Sequence, residues 1–113
     1  MQSFTALKVY ATSDVEIFIK ESKEPKAIFE WAKPADEGNL LDLNVRVLGK
    51  TAVIAMCTSK TIFTIKELGE RKFSDVKALK AGDFEPKWAK VSQTGEIFSC
   101  DSKGKIMKIV DDD

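Results

Sequence analysis

The side chains best suited to chemistry are few, and one is missing altogether. No histidine occurs among the 113 residues. That removes Ser-His-Asp and Cys-His nucleophilic catalysis, histidine-ligated metals and the usual switch near neutral pH. The cysteines are Cys57 and Cys100, both inside apolar runs, where a thiol behaves as a small buried hydrophobe. No Cys-x-x-Cys pair is present, so zinc sites of ordinary spacing are not expected. The six glycines stand singly between segments and form no phosphate-cradling loop. Asp36 and Glu37 are a loop pair, and Asp111, Asp112 and Asp113 form an acidic end better read as solvated than as a cation site. The sequence is therefore expected to be no enzyme and to carry no cofactor.

Two tryptophans are the remaining candidates. Trp31 lies in Phe29-Glu-Trp-Ala-Lys33 and Trp88 in Pro86-Lys-Trp-Ala-Lys90. An aromatic flanked by lysines can anchor a protein, an acidic peptide or single-stranded nucleic acid. Trp31, Lys33, Lys87, Trp88 and Lys90 are thus the candidate partner-binding residues. Strand alternation offers a plainer reading, in which each tryptophan faces the core and its lysines face water.

Alternation of period two dominates the chain and predicts the elements that hold these residues. Strands are expected over 4–10, 15–19, 41–47, 53–57, 62–65, 88–91, 96–100 and 105–110. In 41–47, Leu41, Leu43, Val45 and Val47 share one face. Val53 to Cys57 is almost continuously apolar, as in a central strand. Turn signals separate the runs, among them Thr58-Ser59-Lys60, Thr94-Gly95 and Lys103-Gly104. Two stretches allow a helix or a strand. Residues 26–33, between Pro25 and Pro34, favour a strand. Residues 73–81 suit a short helix capped by Ser74, or a strand and loop. Residues 34–39 form a solvated loop.

Three stretches resemble one another. Leu7 to Ser13 runs on to Ile17-Phe-Ile-Lys-Glu21. Val53 to Ser59 runs on to Phe63-Thr-Ile-Lys-Glu67. Ile97 to Lys103 runs on to Ile106-Met-Lys-Ile-Val-Asp111. The serines at 13, 59 and 102 stand 46 and 43 residues apart. Each unit is an apolar strand, a polar turn, a second apolar strand and a charged stop. One hairpin cannot bury its face alone, whereas stacked copies can.

Such units, four strands long at this period, resemble the blades of WD-repeat-type β-propellers. Ser102 to Asp111 is similar to the segment that closes such a blade, with Val110-Asp111 in place of Trp-Asp. Gly-His and Trp-Asp pairs do not occur. The resemblance implies about two and a half blade-like units, over 5–48, 51–92 and 95–113, within a single all-β domain spanning 1–113. A β-trefoil or small closed β-barrel remains the alternative fold.

The function expected from these features is a protein-protein interaction or scaffold module, part of a larger propeller-like assembly. The alternative is a small barrel binding a ligand or single-stranded nucleic acid. Eighteen basic and eighteen acidic residues cancel, which argues against nucleic acid and against a polybasic membrane anchor. The expected partner is another protein chain or a second copy. No apolar run suits a membrane span, and two cysteines, which allow one disulfide but make no disulfide framework, suit a reducing, cytoplasmic setting.

Overall fold

The computed structural model describes residues 2–4, 8–12, 16–21, 27–34, 38–69, 72–80 and 84–109. Among them are twelve strands in three antiparallel sheets. The first sheet runs in order through β1 (Gln2–Phe4), β2 (Lys8–Thr12), β3 (Glu16–Glu21) and β4 (Ala27–Ala32). The second joins β5 (Asp42–Leu48), β6 (Thr51–Cys57), β7 (Thr61–Gly69) and β8 (Lys72–Phe73), and β9 (Lys77–Lys80) also pairs with β7. The third holds β10 (Pro86–Val91), β11 (Ile97–Asp101) and β12 (Ile106–Ile109). The fold is thus an all-β meander. Pairing does not pass from one sheet to the next among the described residues, so neither a closed barrel nor a trefoil is formed there.

The second sheet lies between the other two, and β6 shows why its sequence is apolar throughout. Successive side chains of a strand point to opposite faces. Ile54 and Met56 join Ile17 and Ile19 of β3, Leu43 of β5, and Phe63 and Ile65 of β7 in one buried cluster. Val53, Ala55 and Cys57 join Ile62 of β7 with Ala89 and Val91 of β10 in another. A strand covered on both faces has no place for the polar half of an alternating pattern.

Several expected elements shift. The run 4–10 is not one strand, because β1 ends at Phe4 and β2 starts at Lys8. Residues 27–32 are a strand, and the helix considered for 73–81 is replaced by β8, an irregular stretch and β9. Ser74 does not cap a helix. Its amide donates to the Lys66 carbonyl at 2.8 Å, and its Oγ accepts the Lys66 amide at 2.8 Å. Of the loop expected over 34–39, residues 35–37 lie outside the described residues, as does the acidic end at 111–113.

The turns form for a reason the serines did not reveal. The resembling hairpins are β2–β3, β6–β7 and β11–β12, the second and third strands of their sheets. In the two whose turns are described, the residue before the serine makes the bonds. Thr58 Oγ1 accepts the amides of Lys60 and Thr61 at 3.2 and 3.1 Å. Asp101 Oδ1 accepts those of Lys103 and Lys105 at 3.0 and 2.8 Å. Ser59 and Ser102 are exposed, and Ser13 lies outside the described residues. Between β10 and β11, Ser92 Oγ accepts the Glu96 amide at 3.1 Å, and Gly95 takes a left-handed φ of 87° that any side chain would strain.

Candidate functional site: the β5–β10 junction and the free face of the third sheet

β10 is the edge of the third sheet, and alternate amides of an edge strand need partners. Here β5 supplies them from side chains. Asp42 Oδ2 accepts the Ala89 amide at 3.1 Å, and Asn44 Oδ1 accepts the Val91 amide at 2.7 Å. Arg46 Nη2 donates to the Val91 carbonyl at 3.5 Å. These three residues alternate along one face of β5, opposite the face that buries Leu43. The Lys90 ammonium also meets Asp42 Oδ2 at 2.9 Å. Polar positions that alternation would assign to solvent instead fasten the third sheet to the second.

Cys57 sits beside this junction, across the ladder from Asp42. Burial is the main force pushing its thiol up to about 12. The Asp42 charge adds to the rise, and the Lys90 charge opposes it. A thiol held neutral is a poor nucleophile, so Cys57 is a packing group. Its raised value sets a sign for stability. The unfolded thiol ionises near 9 while the folded one stays protonated to about 12, so the unfolded state binds fewer protons across that window. Stability from Cys57 is present below pH 9 and declines as pH rises toward 12. Urea titrations of wild type and Cys57→Ala are expected to show the steeper alkaline decline in wild type. Parallel curves would contradict the assignment.

The five candidate residues do not form one site. Trp31, on β4, is half-buried and packs on Phe63, ring centroids 4.8 Å apart. It is packed against the cluster that joins the first sheet to the second. Lys33 Nζ donates to the Pro34 carbonyl at 3.4 Å. Lys87 is exposed at a β-bulge between Pro86 and Trp88. Trp88 and Lys90 lie on β10 and project from the face opposite Ala89 and Val91, which face the second sheet, and the Lys90 ammonium reaches back to Asp42. The shared Trp-Ala-Lys thus has opposite settings: Ala32 is exposed and Ala89 fully buried.

The register of the third sheet defines its other face. Trp88 pairs with Cys100 and Cys100 with Ile106, while Lys90 pairs with Phe98 and Phe98 with Lys108. Trp88, Phe98, Cys100 and Ile106 therefore form an apolar stripe outside both core clusters. Ile106 is 64% exposed. The two lysines on this face are both paired, Lys90 with Asp42 and Lys108 with Glu96. The hydrogen bond from Lys108 holds the Glu96 carboxyl below its ordinary range, with a second from Thr94 and the Lys108 charge adding to it.

Among the described residues no cluster of three or more cysteines and carboxylates is placed to hold a metal ion, and no helix is long and apolar enough to cross a membrane. Comparison with protein-family models finds no match, and comparison with curated proteins finds none.

Proposed function

We propose that this chain is a protein-interaction module whose sheets stack as propeller blades do, and whose third sheet offers its free face to a second copy of the chain. The observation that carries the reading is the contrast between sheets. Among the described residues the second is covered on both faces, whereas the third is covered on one and presents Trp88, Phe98, Cys100 and Ile106 on the other. An apolar sheet face of this kind marks an interaction surface. Aromatic anchors with charged groups at the rim are the usual composition of such surfaces. With Lys90 and Lys108 each neutralised by a carboxylate of its own chain, two copies can meet there without like-charge repulsion. The equivalent place of the three hairpins within their sheets supports the blade-like reading.

Cys100 reports on the proposed contact because its thiol lies in the stripe. Its alkylation by N-ethylmaleimide is expected to slow as protein concentration rises. In Ile106→Glu, which places a charge at an exposed position, the rate is expected to stay constant. Buried Cys57 serves as the unreactive reference. A Cys100 rate independent of concentration in wild type would overturn the proposal.

A further inference from the structure

A second surface lies on the opposite side of the middle sheet, between β4 and the segment that links β8 to β9. Here a groove of 510 Å³ is lined by Phe29, Trp31, Phe73 and Val76 together with Glu30, Ser74 and Asp75. Its aromatic floor is fixed from both sides. Phe29 meets Phe73 at a centroid distance of 4.8 Å, and Trp31 rests on the fully buried Phe63. Its wall is fixed by the two hydrogen bonds that tie Ser74 to the Lys66 backbone. Glu30 and Asp75 are both exposed, and among the described residues the lining contains no lysine or arginine.

We propose that this groove binds an extended peptide of another chain through a lysine or arginine side chain. Three features fit that occupant together. Aromatic faces attract a cation and accept the aliphatic stem that carries it. The Asp75 carboxylate on the wall adds the complementary charge, Glu30 adds a second negative charge from the other face of β4, and both repel phosphate, so the same surface disfavours nucleic acid. The third feature is β4 itself. It pairs with β3 along one side, and among the described residues no strand pairs along its other side. An extended peptide can add to that edge, with backbone bonds giving affinity and the groove selecting the side chain. This site stands independently of the third-sheet face, because the two surfaces share no residue.

The test uses the full chain and a capped peptide of alternating lysine and valine, titrated by calorimetry. Binding is expected, with slowed amide exchange along β4. The charge-reversed double variant Glu30→Lys and Asp75→Lys, altered only at exposed positions, is expected to bind about tenfold more weakly or worse. A peptide with glutamate in place of lysine is expected not to bind. Equal binding of the glutamate peptide, unchanged affinity in the double variant, or no binding of the lysine peptide would each overturn the proposal. So would an oligonucleotide that displaces the lysine peptide from β4.

Discussion

Truncation of Phe63 to alanine is expected to destabilise the fold by about 3–5 kcal/mol. Phe63 is 1% exposed and sits in the cluster that joins the first sheet to the second. Its ring also supports Trp31 at 4.8 Å. The loss has two parts, the transfer free energy of the ring and the cavity left where neighbours cannot close in. Ile54 and Met56 are held by ladder pairing on both sides and Ile65 by pairing with Ile54, so the cavity should persist rather than collapse. Domains of this size have only about 5–15 kcal/mol of net stability, so the change removes a large share of it. Urea denaturation would show the midpoint falling with little change in slope. A loss below about 1 kcal/mol would mean that Phe63 is not at the joint between the sheets.

The second large effect is expected at Asp42, where alanine should cost about 2–4 kcal/mol. Its carboxylate is nearly buried and accepts the amide of Ala89, itself fully buried. Removal leaves that amide without its acceptor and takes the partner from Lys90. Asparagine retains an oxygen at the position and should cost less. The alanine variant should also lower the Cys57 pKa, since the Asp42 charge helps to raise it. By contrast Lys90→Met should change stability by less than about 1 kcal/mol, because the lysine side chain is half exposed and its ion pair is screened. An Asp42→Ala variant as stable as Lys90→Met would show that β5 does not fasten β10.

These expectations separate what the sequence carries from what it conceals. Alternation located β6, β7 and β11 and the hairpins between strands, because a buried strand writes its period directly into residue type. The doubly covered β6 was legible as an apolar run for the same reason. Asp42, Asn44 and Arg46 were not legible. On β5 they read as a solvated face, since alternation records which residues share a face but not what lies across from it. Only the approach of β10 turns them into acceptors and a donor for its edge. The stripe of Trp88, Phe98, Cys100 and Ile106 was half visible: Trp88 stood out by type, but its neighbours come from β11 and β12 and depend on register. The same limit hid the groove, whose two walls lie more than forty positions apart in the chain. The turn serines drew notice by their spacing, while the bonds belong to Thr58 and Asp101 just before them.

The central claim, that the free face of the third sheet is an interaction surface, is tested most directly by sedimentation velocity. Wild type and Ile106→Glu would be compared from about micromolar to about millimolar concentration, the range in which a modest apolar contact becomes populated. Self-association of wild type that the Ile106→Glu variant loses, with both chains equally stable to urea, is the predicted result. A wild-type chain that sediments as a monomer throughout would contradict it.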